Sequence, residues 1–235
     1  MLEKLNLEDV LFLDIETVPQ LEAYDSLTDS FKKHWDRKAS FLAKNEESPS
    51  EIYSRAGIYA EFGKIICISV GFIKGDHVRI KSFYGHDEKE LLSEFIDMLN
   101  RSFSGQHQLL CAHNGKEFDF PYIARRTIIN GLKLPYLLNI AGKKPWEIQH
   151  LDTMELWKFG DFKNFTSLAL LTEIFGIPTP KDDIDGSMVA NVYYKEKNLE
   201  RIKNYCQKDV IALIQVMRKY RGESLFSEND IEEVA

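Results

Sequence analysis

The sequence predicts an α/β domain, a mixed sheet with helices packed on its faces. Three observations carry this prediction. Residues 10–15 (VLFLDI) are almost continuously apolar, the pattern of a strand buried on both faces. Within residues 64–85 two β-rich runs flank Gly75-Asp76, the signature of an antiparallel hairpin. Beyond the hairpin a helical pattern, an apolar strand-like run and a second helical pattern follow one another. The 235 residues suit a single domain over 1–222, since neither an internal repeat nor a low-complexity linker divides them.

After the first strand, residues 21–62 read as a polar helical insert. It carries Lys32, Lys33, His34, Trp35, Asp36, Arg37 and Lys38 in one cluster and is broken at Pro49, with Ser50 placed to cap a second helix running through Arg55 to Ala60. Residues 87–103 place Leu91, Leu92, Phe95, Ile96 and Leu99 at helical spacing behind Asp87, a natural N-cap. The run QLLCAHNG (108–115) reads as a strand that enters a turn. The helix after it holds Pro121 in its first turn and Gly131 at its end. Residues 132–165 form a long connection with little period. A helix then ends at Gly176, before Pro178 and Pro180, and Ser187 is placed to cap a short helix through Tyr194. The last helix runs over 198–220, and the acidic tail 223–235 is expected to be frayed.

Composition excludes several classes. With 44% hydrophobic and 12% aromatic residues, the chain can build a core and is not intrinsically disordered. No apolar run approaches the roughly 20 residues that span a bilayer, and the charged start MLEKLNLEDV lacks the apolar centre of a signal peptide, so a soluble, cytoplasmic protein is expected. Cys67, Cys111 and Cys206 lie in no metal-binding spacing and are expected to be reduced and buried. The net charge of −7 argues against coating nucleic acid non-specifically, but not against an enzyme with a local basic groove.

The acidic residues raise the functional question. Asp14 and Glu16 are two apart on a strand and therefore share a face at its C-terminal end, where α/β sheets favour ligand sites. In HNGKEFDFP (113–121), Asn114 suits a turn and Asp119 suits a helix cap, yet both fall at that same sheet edge if the strands run parallel. In YCQKDV (205–210), Tyr205 and Asp209 share a helix face, and Asp209 lies on the apolar stripe Leu199, Ile202, Cys206, Val210, Leu213, Met217. A carboxylate aimed at a core needs a partner: a distant arginine or a metal ion. Asp14, Glu16, Asp119 and Asp209 brought together would repel unless cations balanced them. All-oxygen ligands suit Mg²⁺ or Mn²⁺, and two such ions about 4 Å apart form a device for phosphodiester cleavage.

DIET, HNGKEFDFP and YCQKD together resemble the three motifs of the DEDD 3′–5′ exonucleases. The resemblance covers roughly residues 8–220. It implies an RNase H-like mixed five-stranded sheet flanked by helices, with two Mg²⁺ or Mn²⁺ ions as cofactors. One subtype has a histidine five residues before the last aspartate, where this chain has Asn204. The other has a tyrosine four before it, where this chain has Tyr205, so the tyrosine subtype (DEDDy) is implied. The insert, EFGKIICISVGF and KDDIDGS further resemble the predicted exonucleases related to the proofreading domain of family-B DNA polymerases. By this resemblance, Asp14, Glu16 and Asp209 hold the metal nearer the attacking water, Asp14 bridges to a second metal held by Asp119, and Tyr205 orients the water. Asn114 and Phe118 would contact the terminal nucleotides, and the backbone near Thr17 the 3′ end.

Other residues carry weaker signals. Asp183, Asp185 and Ser187 could contact substrate, though turn and cap duties suit Asp185 and Ser187 as well. Lys143, Lys144, Trp146, Trp157, Lys158, Phe159, Phe162 and Phe165 mix basic and aromatic side chains, either as a stacking track for single strands or as core. Arg125 and Arg126 read as solvated helix residues, and His113 as a packed strand-end histidine. The function implied is a stand-alone nuclease removing nucleotides from the 3′ end of DNA, favouring single-stranded or frayed ends. An exoribonuclease trimming RNA and an inactive nucleic-acid-binding module with the same fold are the alternatives.

Overall fold

The computed structural model describes residues 2–44, 46–178 and 184–234. Pro180 and Asp183 lie outside them. Strands β1 (Val10–Pro19), β2 (Gly63–Lys74), β3 (His77–Tyr84), β4 (Leu109–Ala112), β5 (Leu151–Asp152) and β6 (Ile231–Glu233) form one mixed sheet in the order β5-β4-β1-β2-β3-β6. β1, β2 and β3 are antiparallel neighbours, whereas β4 runs parallel to β1, β5 to β4 and β6 to β3.

The sheet therefore has six strands rather than five. The additional edge comes from the acidic tail, which does not fray at this point. Ile231, Glu232 and Glu233 pair with Val78, Arg79 and Ile80. Lys203 and Gln207 both hold the Glu233 carboxylate at 3.0 Å. Those long-range partners cannot be seen in the composition of the tail.

Helices cover both faces. On one face α2 (Glu88–Ser102) and α3 (Asp119–Ile129) pack on Leu11, Leu13 and Ile15 of β1. On the other, α7 (Leu199–Tyr220) lays Val210, Leu213, Ile214 and Met217 against Val10 and Phe12. Alternation along β1 then puts Asp14 and Glu16 on the α7 side. Gly71 of β2, paired with Phe12, permits the close approach of that helix: a Cβ there would lie 2.8 Å from both Val210 Cγ1 and Ile214 Cδ1.

The insert is helical, as its composition predicts, and carries a small core of its own. In α1 (Asp29–Leu42) Trp35 is fully buried, packs edge-on against Tyr53 and Phe62, and donates its indole N–H to the Pro49 carbonyl at 2.7 Å. The second helix is a short 3₁₀ segment over Tyr53–Ile58 that starts after Ile52 without a side-chain cap, so Ser50 does not cap it. The connection 132–165 is less featureless than its lack of period suggests, since β5 and α4 (Thr153–Trp157) sit within it; the short α5 (Leu168–Phe175) and α6 (Val189–Asn191) follow. Asp87 caps α2 by accepting from the N–H groups of Lys89 and Glu90.

Arg126 is not solvated. It is buried and reaches the Glu88 carboxylate with Nε at 2.9 Å and Nη2 at 2.5 Å. Its Nη1 donates to the Ala60 carbonyl, and Glu88 also accepts the Ile65 N–H. Helical spacing alone placed Arg125 and Arg126 together; only Arg125 is exposed.

Candidate active site

The parallel pairing of β1 with β4 covers Val10 to Phe12 only, and β4 ends at Ala112 while β1 continues to Pro19. Past that point the sheet opens a crevice at the C-terminal end of β1. Asp14 and Glu16 stand at this opening. The β1–β2 register shifts between Glu16 and Thr17, a bulge that re-aims the strand beside the carboxylates.

Asp119 enters from the first turn of α3. It is only 4% exposed and is not the cap of that helix; Phe118 holds the cap position, with no side-chain hydrogen bond. The Asp119 carboxylate instead accepts from its own N–H and from that of Ile15. Asp209 arrives from α7, and Tyr205, one turn earlier, hydrogen-bonds to it. A cavity of about 500 Å³ is lined by Asp14, Glu16, Thr17, Phe118, Tyr205 and Asp209; Asp119 is not among the lining residues, though its charge acts on Asp14 and Glu16. Ser187 closes one side, and Gly57 and Ile58 of the insert another.

The electrostatics are those of crowded anions. Burial raises the pKa of Asp14 well above the ordinary range, and the charges of Glu16, Asp209 and Asp119 raise it further. Burial does the same to Glu16, with Asp209, Cys67 and Asp119 adding to it. Asp119 is pushed up to about 7, chiefly by burial and then by the charge of Asp152, against the lowering effect of its backbone hydrogen bonds. Burial and the three carboxylates Asp209, Glu16 and Asp14 raise Tyr205 far above the usual phenol value, so it stays protonated at neutral pH. Four hard oxygen donors that destabilise one another suit a divalent cation of the Mg²⁺ or Mn²⁺ type. Among the described residues, ligand atoms of Asp14, Glu16 and Cys206 lie within 4.8 Å of one another.

Not every sequence-predicted residue reaches the cavity wall. Asn114 makes the turn after β4 with φ 64°, its carbonyl accepting from Glu117 and Phe118, and it is not among the lining residues. Asp185 accepts both the N–H and the hydroxyl of Ser187, at 2.8 and 2.5 Å, and so is engaged with that neighbour instead of lining the cavity. His113 is packed: Nδ1 lies 2.9 Å from the Thr153 hydroxyl and Nε2 2.9 Å from the Thr166 carbonyl. The basic and aromatic set divides. Trp157 stacks on Tyr220 as core, while Trp146, Phe159, Phe162 and Phe165 are exposed.

Two residues escaped sequence reasoning. Cys206, expected only to pack, does so with its thiol 3.3 Å from Asp14 Oδ2; its place three residues before Asp209 on one helix face was the available signal. Asp152 is buried and accepts four backbone N–H groups, from Asn114, Lys116, Met154 and Glu155. A strand of two residues leaves no period by which to find it.

Comparison with known proteins bears on this geometry. Residues 58–229 match the model of a family described as "Predicted 3'-5' exonuclease related to the exonuclease domain of PolB". The chain belongs to that family. The matched span contains Asp119, Tyr205 and Asp209, whereas Asp14 and Glu16 precede it. Similar curated proteins are DNA polymerases: 23% identity over 146 residues with that of Pyrococcus glycovorans, and 22% over 206 residues with that of Pyrococcus horikoshii. These alignments cover 57% and 79% of this chain but 18% and 16% of the polymerases, so the chain spans about a fifth of their length. The family B DNA polymerase of the hyperthermophilic archaeon Pyrobaculum calidifontis shares the fold, with TM-score 0.52 and 14% identity over 90% of this chain and 24% of that one. The family's RNase H-like architecture is thus the one seen here, with the C-terminal strand as the sixth member of the sheet. Among the described residues, no helix is long and apolar enough to cross a membrane.

Proposed function

We propose that the chain is a divalent-metal-dependent exonuclease that shortens DNA from the 3′ end, acting on single-stranded or frayed termini. The observation that carries this is the convergence of Asp14, Glu16 and Asp209 with the protonated Tyr205 at one cavity, with the buried Asp119 close enough for its charge to act on Asp14 and Glu16. Family membership and likeness to DNA polymerases support the direction of attack and the choice of DNA.

Asp14, Glu16 and Asp209 would hold one ion, and Asp14 and Asp119 a second. When bound, such a pair supplies Lewis-acid charge to the attacking water and to the leaving oxygen. The protein's own part is to aim and to position. The backbone N–H of Ile15 and the first turn of α3 fix the Asp119 carboxylate. Tyr205 donates a hydrogen bond and does not act as base, because its neighbours forbid the phenolate. Thr17, Phe118 and Ser187 line the space left for the terminal nucleotide. Asn114 and Asp185 would act on substrate only indirectly, by shaping the turns that carry Phe118 and Ser187.

The test uses 5′-labelled single-stranded DNA and RNA of one sequence, with Mg²⁺, Mn²⁺ or EDTA. A ladder shortening from the 3′ end of DNA, absent with EDTA and in Asp14→Ala and Asp209→Ala, is expected. Unchanged cleavage by either variant sinks the proposal, and preferential shortening of the RNA replaces DNA with RNA as its substrate.

A further inference from the structure

A second cavity, of about 650 Å³, lies outside the carboxylate site on the outer face of the insert. Its wall on α1 carries Phe31, His34, Arg37, Lys38 and Phe41, and Glu61 is the one acidic residue among those that line it. Positions 31, 34, 38 and 41 fall on one side of the helix over about 15 Å of its axis. The adjacent side buries Trp35 and Ala39, which anchor α1; Phe31 packs edge-on against Phe62, while Phe41 stands open to solvent. Phe41 is 79% exposed and Phe31 43%.

Charge distinguishes this groove from a plain apolar patch. In a chain of net charge −7, Arg37 and Lys38 line the groove against the single acidic residue Glu61. Asp36 is engaged by the Tyr24 hydroxyl at 2.7 Å. Lys38 sits 4.1 Å above the Tyr59 ring at the groove's edge. Cations interleaved with exposed aromatic rings form the surface on which single strands bind, phosphates to the cations and bases to the rings.

The groove also adjoins the candidate site. Gln20 lines it, while Pro19, the residue before, lines the carboxylate cavity. Gln20 ties this junction down, donating its N–H to the Phe62 carbonyl and its side-chain amide to the Glu61 carbonyl, both at 2.9 Å. We infer that the α1 groove holds upstream nucleotides of a single-stranded DNA whose 3′ end occupies the carboxylate cavity. This rests on the exonuclease reading for the placement of the 3′ end and for the choice of DNA.

The experiment measures binding by fluorescence anisotropy in EDTA, with labelled dT20, dT4 and rU20. Three double variants are compared: Arg37→Glu with Lys38→Glu, Phe31→Ser with Phe41→Ser, and, on a separate exposed loop, Phe162→Ser with Lys163→Glu. All are surface changes, and thermal melting confirms that each is folded. Both groove variants should weaken dT20 at least 5-fold and leave dT4 unchanged, while the loop variant should bind both as the wild type does. The charge variant should also flatten the salt dependence of log Kd by a slope of about 1.4. Absence of dT20 binding by the wild type, equal loss on dT4 and dT20, or loss confined to the loop variant overturns the proposal. Tighter groove-dependent binding of rU20 overturns its assignment to DNA. If the wild type shortens no strand with Mn²⁺ while the groove variants still lose dT20, the exonuclease reading fails and the groove stands. If the wild type shortens DNA while the groove variants bind dT20 normally, the groove fails and the exonuclease reading stands.

Discussion

Asp152 accepts the Asn114 N–H at 3.0 Å with Oδ1, and the Lys116 N–H at 3.1 Å with Oδ2. The same carboxylate caps α4 through Met154 and Glu155. One buried side chain thus fixes the turn between β4 and α3, and with it the approach of Phe118 and Asp119. Asp152→Ala leaves several buried N–H groups unpaired, each costing about 1–3 kcal/mol. Denaturant unfolding should show a loss on the order of 4 kcal/mol, and exonuclease activity at a temperature where the variant is folded should fall as well. Asp152→Asn, which keeps an acceptor, should recover most of the stability. A variant as stable and active as the wild type would show that the turn holds itself.

The buried pair of Arg126 and Glu88 joins α2, α3, the start of β2 and the end of the insert at Ala60. Removing one partner strands the other charge. Glu88→Ala should therefore cost roughly 3–5 kcal/mol, seen as a melting midpoint lower on the order of 10 °C. Replacing both, Glu88→Leu with Arg126→Met, should cost clearly less than either single change. If the double variant is worse than both singles, the pair contributes net stability beyond avoiding a lone buried charge.

These two clamps also show where sequence reasoning stopped. The two-sided apolar run of β1, the hairpin at Gly75 and the stripe of α7 are local periodicities, and each element forms where its pattern predicts. Asp14, Glu16 and Asp209 could be read because a carboxylate within an apolar stripe violates its own pattern. Asp152 and Arg126 violate nothing locally: one ends a strand of two residues, the other occupies an ordinary helix position. Lys116 lies 36 residues from Asp152 in the chain, and Ala60 lies 66 from Arg126. Glu233, whose binding turns a tail into a strand, is held by side chains 26 and 30 residues away. What the sequence lacked was long-range pairing, and the sixth strand depends wholly on it.

Tyr205 lies in the cavity and hydrogen-bonds to Asp209. Its phenol is raised far above neutrality by burial and by three carboxylates, so it serves as a donor throughout the usable pH range. Tyr205→Phe should slow nucleotide removal by on the order of 10- to 100-fold. Mn²⁺ affinity by calorimetry should be nearly unchanged, and so should the alkaline limb of the pH–rate profile. A variant that loses its metal would show that the phenol is a ligand, and one whose alkaline limb disappears would show that the phenol ionises within the working pH range.

The carboxylate cluster also ties stability to pH. In the metal-free protein Asp119 titrates at about 7, above its ordinary value of 3.8, because burial and neighbouring anions penalise its charge. Between those values the folded state holds a proton that the unfolded state has released. Stability from this group therefore falls as pH rises through that window, and the penalty is complete above about 7, on the order of 4 kcal/mol. Asp119→Asn cannot titrate and escapes it. In EDTA the variant should melt somewhat higher than the wild type at pH 5, where about a third of the penalty has accrued, and higher by several degrees more at pH 8. Mn²⁺ at pH 8 should reverse that order, because the wild type alone keeps the full set of anionic ligands, and the reversal should fade toward pH 5 as protons compete. A gap in EDTA that is the same at both pH values would mean that Asp119 is already charged in the folded protein, balanced by a partner within the chain.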